Sequence, residues 1–403
     1  MSWSRSVASA PARHSLRLAV SAALLATPAW SAQLPTLVKD INQISYGDLG
    51  SGPLAHAHPL TRGGHPHAPP YVKVGGRFYF SAATLPNGRE LYVSDGTANG
   101  TRMVKDIFPG RGDSFRSSPS HFERSSLMAV GSRVFFMAND GTHGYELWVS
   151  DGTLSGTRMI RDIQPGTGSS FPTLGGALAG KLYFSADNGV NGAELWVSDG
   201  TTRGTVMLRD IGPKQSSSGP GNFTVFRTRL GRKLYFAATG SNGRELWVTD
   251  GTPKGTFELR NIGPGSLSSN PTYFLQIGSR LFFQARGASS LPSLWVTDGS
   301  ALGTREVRPQ TFVYPTYFVA LNGKLIFSAM GANGAELWIS DGTANGTFEL
   351  KDIRAGRAGS LPRHMTALGS QVFFTANDGL KGTELWVTDG TPQGTVLAAD
   401  IND

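Results

Sequence analysis

The chain has no cysteine among its 403 residues. Disulfides, thiolate metal sites and a cysteine nucleophile are therefore excluded, as is lipid attachment through an N-terminal cysteine. No stretch approaches 18 consecutive apolar residues, so no segment reads as a membrane-spanning helix. Lysine and arginine are scattered and form no block, although the net charge is +8. Nucleic acid binding therefore finds little support. There is no GxSxG elbow with a placed histidine, and no GxxxxGK[ST] phosphate loop. Long helical periodicity is missing too.

What is present is turn chemistry and aromatic weight. Gly occurs 52 times and Pro 23 times, with 10% aromatic and only 16% charged residues. This composition predicts a packed, turn-rich β protein and not a disordered chain.

The first residues read as a processing segment. Arg5, Arg13 and Arg17 precede any acid, and Leu16 to Ala26 is a short apolar run. Ala29 and Ser31 form a small-residue pair that suits cleavage after Ser31. Residues 1–31 are thus expected to be a signal peptide, with a mitochondrial-type presequence as the alternative. Its removal would leave a net charge of +5.

One phrase dominates the rest. ELWVSDGTLSGT at Glu146 to Thr157 returns as ELWVSDGTTRGT at Glu194 and ELWVTDGTPKGT at Glu245. Seven copies align on Asp95, Asp151, Asp199, Asp250, Asp298, Asp341 and Asp389, spaced by 56, 48, 51, 48, 43 and 48 residues. Each unit offers four short apolar runs bounded by Gly, Asn, Asp or Pro. Four short strands repeated every 50 residues or so predict a β-propeller of seven four-stranded antiparallel blades. An eighth, degenerate blade and an open β-solenoid are the alternatives. The expected layout is a signal peptide over 1–31, an N-terminal strand and His/Gly/Pro-rich loop over 32–69, and one propeller domain over 70–403. Leu37-Val38-Lys39-Asp40-Ile41 closely matches Met103-Val104-Lys105-Asp106-Ile107. It is a spare outer strand, expected to pack near the closing seam.

Within the phrase, Leu147 and Val149 alternate with Glu146 and Trp148 along a strand. Trp148, Trp196, Trp247, Trp295, Trp338 and Trp386 share one repeat position, filled by Tyr92 in the first copy. They are expected between blades as core; a sugar-stacking row would need them exposed. Asp-Gly-Thr is turn chemistry, with Asp accepting a backbone N–H two residues on and Gly tolerating positive φ. Calcium is the alternative use for these oxygens, although the D-x-[DN]-x-[DN]-G order is missing.

Glu90, Glu146, Glu194, Glu245, Glu336 and Glu384 also share one position. A buried carboxylate needs hydrogen bonds or a cation. The expected donors are turn amides, or basic residues such as Lys105, Arg161, Arg209 or Arg260. The fifth copy departs, with Ser293 for Glu, Ser300 for Thr and Pro309 in place of the repeated Asp. It is a candidate for either local specialisation or drift.

These residues together resemble the bacterial ELWxxDGT repeat proteins. The resemblance covers roughly residues 70–402. It implies an exported repeat scaffold and brings no catalytic residue with it. Tyr92 and Ser293 are the clearest departures.

A site should lie where the repeats differ. His56, His58, His65 and His67 stand in a Gly/Pro-rich stretch, either a solvated loop or a weak zinc, copper or nickel binder. Arg116 to Ser125, with His121 and Glu123, is a longer polar link. Thr311 to Phe318 is aromatic and matches Tyr273 and Phe274 in the unit before it, which points to inner strands near a central channel. His143 and His364 stand alone in different units. No residue is assigned a catalytic, cofactor or metal role.

The leading expectation is a non-enzymatic, periplasmic or secreted propeller that binds a glycan, a cell-envelope component or a protein. A purely structural surface or matrix component, or a polysaccharide-acting enzyme using paired carboxylates, are the alternatives. Architecture alone does not choose among them.

Overall fold

The computed structural model describes residues 71–116, 127–229, 231–289 and 291–401. The expected signal peptide, the spare strand Leu37–Ile41, the four clustered histidines, and His121 and Glu123 lie outside these residues.

The described chain is all-β and forms seven four-stranded antiparallel sheets. The blades span 71–105, 127–161, 173–209, 221–260, 272–306, 313–351 and 363–399. In every blade the strands are ordered as they occur in the sequence. This is the architecture of a seven-bladed β-propeller. Among the described residues the only helical turn is Pro213–Gln215, in the link from blade three to blade four.

Two kinds of turn set the strand boundaries. The inner strand is joined to the second by a two-residue reversal, as at Ala179-Gly180, where both residues have positive φ. That conformation matches the twist of a hairpin. The third and outer strands are joined by the DGTxxG turn.

The core lies between blades. Leu147, Val149, Ile160 and Ile163 of blade two pack against Leu182, Phe184, Ala186 and Trp196 of blade three. The same arrangement recurs at the next four junctions and at the one before. Alternation along the strand explains it: Leu147 and Val149 face the following blade, while Trp148 faces the preceding one. The repeated tryptophans are buried. Trp148 lies opposite Phe136 on the neighbouring strand, with ring centres 6.5 Å apart. The tryptophan row is core, which removes it as a sugar platform. Tyr92 is buried as well.

Candidate functional site

The repeated glutamates are enclosed, and in five of the six, Glu384 excepted, backbone amides and a serine hydroxyl satisfy both oxygens. Glu146 accepts from the amides of Ile163 at 3.1 Å and Ser170 at 2.9 Å, and from the Ser170 hydroxyl at 2.6 Å. Glu194, Glu245 and Glu336 repeat this with Ser218, Ser269 and Ser360, and Glu90 takes the Ile107 and Phe108 amides and the Ser114 hydroxyl. The carboxylate therefore fastens the link to the next blade. Burial pushes the Glu90 carboxyl up from 4.5 to about 7, against the opposing pull of its hydrogen-bond donors. Burial also raises Glu146, Glu245 and Glu336.

The basic partners expected for these glutamates go elsewhere. Lys105 donates to the Thr157 carbonyl, Arg161 to Thr205, Arg209 to Thr256 and Arg260 to Thr304. Each reaches from an outer strand to the DGT turn of the following blade. The linker amides and serine already fill the acceptor positions of the carboxylate. The cations serve instead as clamps between blades.

The DGT turns are self-contained. Asp151 Oδ1 accepts from the Thr153 amide at 2.9 Å and its hydroxyl at 2.7 Å. Thr157 returns a bond to the Thr153 carbonyl. These contacts hold Asp151 and its counterparts below the usual carboxylate range. Behind each turn a pair of hydroxyls meets, as in Ser150 with Thr157 at 2.7 Å. The reading of the sequence missed this pair, although Ser or Thr stands before every repeated Asp. Among the described residues no group of three or more His, Asp or Glu gathers to hold a metal ion.

Blade five changes as a unit. Ser293 replaces the glutamate, and the link that the glutamate would fasten is shorter. The Val307 amide bonds to the Leu294 carbonyl, and buried Phe312 packs 4.7 Å from Trp338. Ser293 accepts from Trp295 Nε1 at 3.2 Å. Ser300 performs the threonine's task at the turn, bonding to Asp298 through its amide and hydroxyl. The carboxylate is absent where the link is shortened, so no buried donor is stranded.

The inner strands carry what the repeats do not share. Asn222, Tyr273, Tyr317 and His364 occupy equivalent bulges in blades four to seven, with φ of 55, 58, 56 and 54°. Side chains other than glycine rarely adopt such angles, and each costs on the order of 1 kcal/mol. Neighbouring inner strands interlock here. Asn222 Nδ2 donates to the Pro271 carbonyl at 3.0 Å, and Gln284 Nε2 to Pro315 at 2.8 Å. Tyr273 packs on Phe318, and Tyr317 on His364. The Thr311–Phe318 stretch thus divides: Phe312 and Phe318 join the core, whereas Tyr314 remains 46% exposed.

All these strands begin at one face. The amides of Phe171, Asn270 and Leu361 bond to the start of the preceding blade's third strand. At that face Arg116 stands over the rings of Tyr145 and Phe171, 5.7 and 5.5 Å from their centres. Phe171 is half exposed. Between blades four and five the same face opens a cleft of 250 Å³ lined by Asn222, Arg244, Asn270, Gln284, Arg286 and Pro292, among others. Arg244 is oriented by the Gly219 carbonyl, 2.8 Å from its Nη1. Arg286 stands where blades two, three, four and seven have Asn139, Asp187, Thr239 and Asn377, as the shared backbone bond to the link serine shows. The departures Arg286 and Pro292 therefore converge at this cleft.

His143 is held by Asp140 at 2.8 Å in an exposed loop, and His364 contacts Thr375 at 3.1 Å. Neither histidine lies in the cleft. The arrangement offers two guanidinium groups and several side-chain amides. That equipment suits binding of an anionic, hydroxyl-rich ligand.

No family model and no curated protein matches the chain. Among solved structures it is similar to the computationally designed Ika8 protein, at 16% identity, 82% of this chain, 86% of the other and a TM-score of 0.42. It is also similar to puromycin hydrolase, at 15% identity, 83% of this chain, 53% of the other and a TM-score of 0.40. A puromycin-hydrolyzing peptidase of Mycobacterium tuberculosis gives 12% identity, 83% of this chain, 52% of the other and a TM-score of 0.42. The chain spans about half the length of these two hydrolases.

Proposed function

We propose that this chain is a non-enzymatic, exported binding propeller that recognises an acidic glycan of the cell envelope at the cleft between blades four and five. One observation carries the reading: the departures of the fifth repeat, above all Arg286, converge on a cleft that already holds Arg244. Guanidinium groups pair well with carboxylates, and side-chain amides with hydroxyls. The aromatic side chains Phe171 and Tyr314, exposed where the inner strands begin, offer further surface to an extended ligand. The signal-like N terminus and the resemblance to exported ELWxxDGT repeat proteins support an extracytoplasmic location. The repeated carboxylates are already engaged by the fold, which weighs against a paired-acid glycosidase. The test is an array of acidic and neutral glycans and envelope extracts, probed with calcium and with chelator. Selective binding to acidic glycans is expected; uniform inertness across the array sinks the reading.

A further inference from the structure

Three side-chain amides line the cleft between blades four and five, and each stands where other blades carry a different group. Asn270 lies where Phe171, Gly219 and Leu361 stand, since all four amides bond to the residue before the preceding blade's glutamate. Its φ is 49°, against 44, 51 and 54° in those three. Asn222 lies where Tyr273, Tyr317 and His364 stand. Gln284 pairs with Leu294, in the place where Met137, Ser185, Ala237, Ser328 and Thr375 pair with the equivalent leucine. Asparagine tolerates positive φ. The same backbone carries Phe, Leu, Tyr and His elsewhere, however, so conformation alone does not choose the amides.

All three amides are oriented alike. Each spends its NH2 group on a backbone carbonyl: Asn222 on Pro271 at 3.0 Å, Asn270 on Ser268 at 3.3 Å and Gln284 on Pro315 at 2.8 Å. A backbone carbonyl only accepts, so these bonds fix which end of each amide is nitrogen. Among the described residues no donor reaches the three side-chain oxygens. The cleft thus sets free acceptors beside the guanidinium groups of Arg244 and Arg286. A ligand that satisfies both must bring an anion and, close to it, O–H or N–H donors. A hexuronate does so, because its carboxylate is carried on carbon and its ring hydroxyls stay free. Sulfate and phosphate esters are built on hydroxyls. Each replaces a donor with further acceptors, which the three oxygens repel. Resting on the acidic-glycan reading of this cleft, we propose that its ligand is a uronate-bearing saccharide with unsubstituted hydroxyls. Asn222, Asn270 and Gln284 select it over sulfated and O-acylated glycans.

The test is calorimetric titration of the full chain with oligogalacturonate and oligoglucuronate, their O-acetylated forms, their carboxyl-reduced forms and a sulfated maltooligosaccharide. At least one uronate should bind about 10-fold or more tighter than its O-acetylated form and than the sulfated sugar. Asn270→Gly and Asn222→Gly each delete one acceptor, and glycine adopts the backbone angle there without strain. Each variant should weaken uronate binding roughly 3- to 10-fold and narrow its margin over the sulfated sugar. If the sulfated or acetylated sugar binds as tightly as the uronate, or both variants keep the wild-type margin, selection by the amides is overturned while the acidic-glycan reading stands. If no sugar binds, or the carboxyl-reduced forms bind as well as the uronates, both are overturned.

Discussion

Glu146 and Ser170 stand 24 residues apart in sequence, yet the Ser170 hydroxyl lies 2.6 Å from Glu146 Oε2, with its amide 2.9 Å from Oε1. One carboxylate thereby ties the third strand of a blade to the entry of the next. The repeated phrase is thus an instruction for joining blades as much as for building them.

Replacing Glu146 with Ala should therefore destabilise the fold by about 3 kcal/mol, since buried amide donors lose their acceptor. Glu146→Gln should cost less, because one oxygen remains. Introducing the glutamate at Ser293 should also destabilise, as the shortened link there has no matching donors. Chemical denaturation measures all three; a stabilising Ser293→Glu would contradict the account of blade five.

Glu90 gives a pH dependence with a definite sign. Its carboxyl is raised from 4.5 to about 7 by burial, so between these values the folded state holds more protons than the unfolded one. Stability should fall as pH rises through this window, by roughly 3 kcal/mol at most from this group. The turn aspartates act in the opposite sense. Their lowered pKa gives stability above the ordinary 3.8 that is lost as pH falls further. Unfolding curves across pH should show a shallower slope between 4.5 and 7 in Glu90→Gln than in wild type. Equal slopes would show that Glu90 is already ionised in the folded state.

Two glycines separate turn geometry from blade packing. Gly96 and Gly152 hold the same turn position with φ of 93 and 87°. A Cβ on Gly96 meets nothing, whereas one on Gly152 meets the Tyr79 hydroxyl of the preceding blade. Gly96→Ala should cost about 1 kcal/mol for the positive φ alone. Gly152→Ala should cost about 1–3 kcal/mol more through overpacking. Equal losses in thermal or urea unfolding would mean that the turn of blade two does not bear on blade one.

The turns and the strand alternation were legible because both are local. DGT specifies its own hydrogen bonds, and Leu147-Trp148-Val149 divides its faces by a period of two. Lys105 and Arg161 were not legible in the same way. A long cation can reach either its own blade or the next, and only the outer-strand geometry decides. The bulged Tyr273 and Tyr317 were hidden too, since neither Tyr nor the residues around it signal positive φ as Gly would. Arg286 became visible as a departure only once backbone pairing aligned it with Asn139, Asp187 and Thr239.

The central claim is tested most directly by equilibrium titration of the protein with an acidic oligosaccharide and its neutral counterpart, using wild type and Arg286→Ala in calcium and in chelator. The account predicts saturable binding of the acidic ligand alone, unaffected by chelator. It also predicts binding roughly 10-fold or more weaker in Arg286→Ala, the loss expected for one charge-assisted pair. Equal affinity of wild type and variant, or equal binding of the neutral sugar, would contradict it.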